Sequence, residues 1–226
     1  MTKGMYCSAA GMLSQLEYHN VLAANLANAN TAGFKRTAVG FMSVLADAER
    51  TVRITPLPGN AEPDVPVPKL VIRVDNGQGP IEDTGNQTHL AIIGPGSFCV
   101  QSTGGIRQVR NGSFTLDASG TLTTDAGEPV LGRNGPITLK GTTWTIEPDG
   151  TVVVDGTAVD KIRLEAPAGE TPGQVVQGSL EGSNVNPVLE MVAMITALRA
   201  YEANQRAILA VDQTLDKVIN QVGRTA

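Results

Sequence analysis

The 226-residue chain is long enough for one large domain or two smaller ones, and its 41% hydrophobic content supports a folded core. Its formal net charge of -5 disfavours nucleic acid and anionic lipid as partners, because both select basic surfaces. The sequence has no apolar run of the roughly 18 residues that a membrane span needs, so we expect no direct membrane insertion. Two cysteines, Cys7 and Cys99, are too few for a disulfide framework and are expected to be small buried side chains.

The N-terminal segment predicts a helix that is poor in charge. Apolar and small residues recur there at alternating spacings of three and four, at Met5, Ala9, Met12, Leu16, His19, Ala23 and Leu26. Between Met5 and Leu26 the only formal charge is Glu17. Small neutral side chains on the other faces favour a helix surrounded by protein on most sides. An ordinary amphipathic helix on the core of one domain is the open alternative.

The region 28–33 predicts the end of this helix, because Asn and Gly tolerate the left-handed geometry of a helix stop. Polar residues interrupt the apolar part of the opening segment, so it is not expected to be a cleavable secretion signal. The short apolar cluster at 41–45 fits either a further helical turn or an extended arm. Residues 49–68 contain five prolines, which favours an extended arm or linker.

The last helix is predicted to begin at Pro187 and to end near residue 221. Asn186 precedes it as an N-cap, and Glu190 places a negative charge in the first turn. A mostly apolar stripe follows at alternating spacings, at Met191, Met194, Leu198, Tyr201, Gln205, Ile208, Asp212, Leu215 and Ile219. Further apolar positions widen the stripe, so more than one neighbour is needed to cover it.

Between the helices, residues 70–176 have the pattern of antiparallel strands. Strand-length runs occur at 90–93, 98–101, 106–110, 113–116, 142–146, 151–154 and 161–164. Turn dipeptides separate them at 76–77, 111–112, 134–135, 149–150 and 155–156. Many tight turns and few aromatic residues favour a β domain packed from Val, Ile, Leu and Thr.

These patterns predict an α+β fold. Long N- and C-terminal helices, at 1–45 and 180–226, are expected to pair as a discontinuous coiled-coil domain. Residues 46–69 form the arm, and residues 70–179 form an inserted, mostly antiparallel all-β domain. Such a chain suits a filament whose interior holds the helices, and it also suits a monomer whose helices brace the β domain.

Catalytic patterns are weak in this sequence. Asp83-Thr84-Gly85 matches the short loop of aspartic proteases, but residues 117–120 are no proper second copy, and that chemistry requires two carboxylates. His19 and His89 lack neighbouring ligands at metal-binding spacings. We therefore expect no catalytic residue, no metal and no cofactor.

Two terminal motifs resemble the bacterial flagellar rod and hook proteins. Residues 25–36 read Asn-Leu-Ala-Asn-Ala-Asn-Thr-Ala-Gly-Phe-Lys-Arg, and they match the family's Asn-Leu-Ala-Asn-x-Asn-Thr-x-Gly-Phe-Lys signature. Residues 180–186 read Leu-Glu-Gly-Ser-Asn-Val-Asn, and residues 199–204 read Arg-Ala-Tyr-Glu-Ala-Asn. These match the family's lead-in and Arg-Ala-Tyr-Glu segment. Together they identify the chain as a member of this family.

The resemblance implies a structural subunit that stacks helically into the axial drive shaft of the flagellum. It implies copies of the chain and other flagellar rod or hook subunits as partners. It also implies export by the flagellar export apparatus without a cleaved signal, and a final place in the periplasm-spanning rod. The segments 127–132 and 135–137 are most similar to the proximal rod protein, with a distal rod or hook-type subunit as the alternative. A monomeric β binding module is the alternative from another class.

The motifs and the apolar stripe of the last helix predict which residues define the family and take part in assembly. Tyr201 fits an anchor between subunits or an ordinary seam position, and the motif asparagines fit packing roles as well as plain helix capping. The full set is Asn25, Leu26, Asn28, Asn30, Gly33, Phe34, Lys35, Leu180, Ser183, Asn184, Val185, Met191, Met194, Leu198, Arg199, Tyr201, Glu202, Ile208 and Leu215.

Overall fold

A computed structural model describes residues 2–42, 69–141 and 143–222. The described residues form two helices and fourteen strands, and every strand pair is antiparallel, which confirms the α+β class. The chain divides into two compact units. The first comprises Met1–Ala27, Thr37–Asp75 and Asn186–Ala226, and the second comprises Asn28–Arg36 and Asn76–Val185.

The unit boundaries differ from those expected from the sequence in two places. Residues 28–36 lie in the second unit, where the backbone N–H of Gly33 donates to the carbonyl of Glu181 at 2.7 Å. Residues 69–75 lie in the first unit, because β2 (Lys69–Val74) pairs with β1 (Thr37–Met42) along its full length. The start of the apolar cluster at 41–45 is therefore extended, and residues 43–68, with most of the expected arm, lie outside the described residues.

In the first unit, α1 (Thr2–Ala27) packs against α2 (Pro187–Val222). The side-chain oxygen of Asn186 accepts the backbone N–H groups of Val188 and Leu189 at 3.1 and 3.2 Å, which confirms the predicted N-cap. Near one end of the pair Gly11 faces Asn204, and near the other Asn25 contacts Glu190. Residues late in α1 contact residues early in α2, so the two helices are antiparallel.

Small and polar side chains face each other across the helix pair. A Cβ at Gly11 would lie 3.1 Å from the side-chain nitrogen of Asn204. Ser14, Leu22 and Ala197, which lie between the two end contacts, are buried. This face differs from the predicted α1 stripe, in which Leu16 is 52% exposed. The reason is steric, because small residues allow the two backbones to approach more closely than a row of large side chains would.

The second unit contains short strands around one hydrophobic core. Its strands are β3 (Ile81–Asp83), β4 (Leu90–Ile93), β5 (Ser97–Ser102), β6 (Gly105–Val109), β7 (Phe114–Leu116), β8 (Leu122–Thr124), β9 (Trp144–Ile146), β10 (Thr151–Val154), β11 (Thr157–Lys161), β12 (Leu164–Glu165), β13 (Gln174–Gln177) and β14 (Ser179–Glu181). The rings of Phe98 and Phe114 meet edge to face at the core, with centroids 5.2 Å apart. Cys99 is buried, as expected, while the side chain of Cys7 lies outside the described residues.

The pairing also explains which predicted turns form hairpins. Asp155 and Gly156 have φ values of 49° and 80°, and they join β10 to β11 in the predicted tight turn. The dipeptide at 111–112 joins β6 to β7, which do not pair. Gly112 is needed there for close approach, since a Cβ would lie 1.6 Å from the carbonyl oxygen of Leu90. The single run predicted at 161–164 spans the end of β11 and the start of β12.

Replacing Phe114 by Ala is expected to lower the free energy of unfolding of the second unit by about 3–5 kcal/mol, because it leaves a cavity beside Phe98. Leu116→Ala on the same strand is the matched control, and its side chain is exposed, so we expect a change within about 0.5 kcal/mol. Urea unfolding followed by the fluorescence of Trp144 measures both. Equal losses in the two variants would contradict this core.

Candidate functional site

Residues of the two terminal motifs lie in two polar clusters, one in each unit. We call the first the Asn25 cluster, formed by Asn25, Thr37 and Glu190 in the first unit. We call the second the Glu181 cluster, formed by Lys35, Gly79, Arg110 and Glu181 in the second unit. Both clusters join residues that are far apart in the sequence.

The Asn25 cluster fixes the chain where α1 ends and β1 begins. The Asn25 side chain donates to the carbonyl of Thr37 at 2.9 Å and accepts the Thr37 N–H at 2.9 Å. The same amide nitrogen donates to the Glu190 carboxylate at 3.2 Å. Asn25 is fully buried and Glu190 is 1% exposed, so these bonds satisfy groups that water cannot reach.

Between these anchors, residues 28–36 make a compact turn. The Asn28 carbonyl accepts the Thr31 N–H at 3.1 Å, and the Asn28 side chain accepts the Thr31 hydroxyl at 3.2 Å. Gly33 has a φ of 69°, and a Cβ there would lie 2.4 Å from the backbone nitrogen of Asn111. Only glycine therefore fits this position of the motif.

The Glu181 cluster places one carboxylate between two cations. Lys35 and the Nε of Arg110 each contact a different oxygen of Glu181 at 2.6 Å. The N–H of Gly79 donates to the oxygen that Lys35 also contacts, at 2.9 Å. The Glu181 side chain is only 1% exposed, so this is a buried ion cluster.

Backbone carbonyls accept further hydrogen bonds from the two cations. Arg110 donates to the carbonyls of Ile92 and Gly94 at 2.8 Å and also to the carbonyl of Gly96. Lys35 donates to the carbonyl of Gly77 at 2.8 Å. The guanidinium thus holds the turn between β4 and β5, while the ammonium ties the N-terminal motif to the segment before β3.

Charge balance keeps Glu181 ionised. Burial acts to raise the pKa of this carboxyl, but hydrogen bonds from Lys35, the Gly79 N–H and Arg110 outweigh it and hold the pKa below its ordinary value. Because the folded-state pKa is lowered, the stabilisation is fully present above the unfolded pKa of about 4.3 and is lost as the pH falls through the folded value.

The second motif runs beside residues 33–36. The Asn184 side-chain oxygen accepts the Arg36 N–H at 2.6 Å, and its amide nitrogen donates to the Gly77 carbonyl at 2.9 Å. The hydroxyl of Ser183 accepts the N–H of Val185 at 3.2 Å, and both of these residues are buried. Leu180 lies on β14 opposite Glu82 of β3 and is half-buried.

The other nominated residues do not join either cluster. Leu26, Phe34, Met194, Tyr201 and Ile208 are half-buried, while Asn30, Met191, Leu198, Arg199 and Glu202 are exposed. Glu202 lies 3.8 Å from Arg206 in an exposed pair one turn along α2. The side chain of Leu215 lies outside the described residues.

Large apolar side chains on α2 face away from the helix pair. We call Val188, Met191, Val192, Ile195 and Leu198 the outward stripe, since their spacing places them along one side of the helix. Their exposed fractions run from 47% at Leu198 to 67% at Val188. On α1, Leu13 and Leu16 are also more than half exposed. Exposed apolar patches of this kind mark interaction surfaces.

The structure gives the Asp83 loop a structural role. Asp83 accepts the N–H of Gly85 at 3.0 Å, and the Thr84 N–H and hydroxyl donate to the carbonyl of Gly178 at 2.8 and 3.0 Å. Among the residues that the structure describes, no group of three or more His, Cys, Asp or Glu is placed to hold a metal ion. In the same described part, no helix is long and apolar enough to cross a membrane.

The local sequence does not identify the two buried carboxylates as partners of the motif residues. It indicates only a favourable charge in the first turn of α2 for Glu190, and for Glu181 only membership of the second motif. Arg110 and Thr37 carry no local signal, because their partners come from distant parts of the chain.

Both terminal motifs lie in regions of the chain that match models of known protein families. The family model "Flagella basal body rod protein" matches residues 5–35, and "Flagellar basal body rod FlgEFG protein C-terminal" matches residues 176–222. "Flagellar hook protein FlgE/F/G D1 domain" matches residues 91–154. All three matches are to rod or hook proteins of the bacterial flagellum.

Proteins that are similar over nearly the whole chain identify the family within this class. The flagellar basal-body rod protein FlgF of Caulobacter vibrioides is 32% identical over 90% of this chain and 91% of the relative. The rod protein FlgG of Buchnera aphidicola subsp. Schizaphis graminum is 31% identical over 96% of this chain and 99% of the relative. FlgF of Rhizobium meliloti is 31% identical over 99% of this chain and 99% of the relative. The chain therefore belongs to the family of flagellar basal-body rod proteins, which are structural subunits of the rod.

We expect the motif asparagines to differ sharply in their effect on stability. Asn25→Ala removes the buried amide that bonds the backbone N–H and carbonyl of Thr37, and it should cost about 1–3 kcal/mol of unfolding free energy. Asn30→Ala alters an exposed side chain of the same motif and should stay within about 0.5 kcal/mol. Thermal unfolding followed by helical circular dichroism compares them. A larger loss for Asn30→Ala would show that the Asn25 cluster does not hold the chain.

Proposed function

We propose that this chain polymerises through the outer faces of its terminal helices into the axial drive shaft that the flagellum uses in motility. The outward stripe on α2 carries this proposal, because an isolated subunit leaves five large apolar side chains in water. Neighbouring rod subunits, either copies of this chain or relatives, cover the stripe. Complete burial of a fully exposed side chain of this size contributes about 1.5–3 kcal/mol, and these side chains, which are 47–67% exposed, contribute the corresponding fraction.

The low charge of α1 supports the same proposal. With Glu17 as its only formal charge between Met5 and Leu26, α1 offers neighbours a surface that costs little to desolvate. Leu13 and Leu16 add exposed apolar area to it. The terminal helices, within 1–45 and 180–226, then form the axial domain as a coiled-coil-like assembly, and the inserted β domain at 70–179 follows the arm at 46–69.

Within the rod, we propose a proximal position for the subunit. Residues 127–132 and 135–137 are most similar to the proximal rod protein, whereas the relatives named FlgF and FlgG are nearly equal in identity at 32% and 31%. A distal position is the alternative. Crosslinking of this subunit in isolated basal bodies distinguishes the two, since a proximal subunit contacts the base of the rod and a distal one adjoins the hook.

We further propose that the flagellar export apparatus delivers the subunit to a rod that spans the periplasm, without removal of a signal peptide. Family membership supports this route. The family's structural role also supports a function without catalysis or cofactor. Loss of the chain from the periplasm of a strain that lacks the flagellar export apparatus is the expected result, and continued export would refute the route.

Replacing Leu198 by Asp is expected to block incorporation into rods without unfolding the subunit. Leu198 is half-exposed in the single chain, so the charge is tolerated there, but in the assembly it becomes a buried charge without a partner. Incorporation is measured as the amount of the chain in purified basal bodies and as swimming in soft agar. We expect at least a tenfold decrease in the incorporated amount.

Thr196→Asp is the matched control. It adds the same charge to an exposed polar position two residues before Leu198, about 200° away around α2, and should leave incorporation within about twofold of the unchanged chain. Normal rods from Leu198→Asp, or equal defects in both variants, would refute polymerisation through the stripe and favour a β binding module braced by its helices.

A further inference from the structure

Glu181 is the point at which three separate stretches of the second unit meet. Lys35 comes from the N-terminal motif, Arg110 follows β6, and Gly79 precedes β3. The backbone of the same residue accepts the N–H of Gly33 at 2.7 Å. One buried side chain thus joins residues 28–36 to two other loops.

The two cations do not depend equally on this carboxylate. Arg110 donates to three backbone carbonyls in addition to Glu181. Lys35 donates, besides to Glu181, to the Gly77 carbonyl. Without the negative charge, two like charges would share one poorly hydrated site, and Arg110 would keep more of its partners. The repulsion between the two cations therefore acts mainly on Lys35 and on residues 28–36, which carry it.

We propose that Glu181 is an acid-sensitive latch that positions residues 28–36 of the N-terminal motif against the second unit. When the carboxylate takes up a proton, Lys35 loses its anionic partner and residues 28–36 detach while the β core stays folded. The backbone of the segment makes further hydrogen bonds: the N–H of Gly33 donates to the Glu181 carbonyl, the N–H of Arg36 donates to the Asn184 side chain, and the Phe34 carbonyl accepts the N–H of Asn184 at 3.3 Å.

The charges around Glu181 define the pH response. The groups that face the carboxylate are Lys35, Arg110 and the Gly79 N–H, all of which favour its ionised form. On the paired strand β3, Glu82 and Asp83 are exposed. The lowered pKa of Glu181 places release on the acid side of about 4.3, the ordinary value for a glutamate.

Hydrogen exchange of the full chain tests the latch directly. Exchange is measured at the amides of Gly33 and Arg36, corrected for intrinsic rates, as the pH is lowered from about 6 to about 3, while Trp144 fluorescence reports the β core. We expect protection of the two amides to fall at least about tenfold at a pH where Trp144 emission is unchanged. Protection that persists until the Trp144 signal changes would overturn the proposal.

Glu181→Gln provides an independent test at neutral pH. Trypsin cleavage after Lys35 or Arg36, identified by mass spectrometry, should be at least about tenfold faster than in the unchanged chain, with Trp144 emission unaltered. Glu128→Gln is the matched control, because it removes a carboxylate of the same unit whose partner, Arg107, is exposed. Equal cleavage in all three proteins would overturn the latch. A variant that loses the Trp144 signal would show that Glu181 holds the whole unit, which also overturns local release.

Discussion

Close packing of α1 on α2 through small side chains is the constraint on which the functional account depends. Gly11, Ser14 and Ala197 lie on the facing sides, so the pair needs few large apolar residues for its own contact. The large ones are left on the outside, in the outward stripe of α2 and at Leu13 and Leu16 of α1. A subunit built in this way is folded and yet still has apolar surface to bury, which is what a polymerising protein requires.

The two polar clusters show what the family motifs do in this chain. Asn25 replaces a strand partner for the backbone of Thr37, and Gly33 permits an approach that any side chain would block. Lys35 and Glu181, one from each motif, form a buried ion pair. The motif residues in these clusters therefore act within one subunit, by fixing the path of the chain between α1 and β1, and the outer helix faces remain free for neighbours.

Features that depend on neighbouring residues in the sequence could be predicted. The Asn186 cap, the start at Pro187 and the tight turn at 155–156 each depend on adjacent residues, and the sequence shows them directly. Periodicity predicted both helices but not which side of α1 faces α2, because spacing identifies a stripe and not its partner. Glu181 and Arg110 were not predicted as a pair, since their contact depends on long-range packing that no local pattern encodes. Gly112 was predicted as a hairpin turn, although its role is close approach to Leu90.

An electron cryomicroscopy map of isolated basal bodies, with this chain traced in the rod, shows whether the outward stripe is an interface between subunits. We predict that Val188, Ile195 and Leu198 are buried against a neighbouring subunit, while Gly11 and Asn204 still face each other within one chain. A rod in which these three side chains face solvent, with subunits joined through their β units alone, would contradict it.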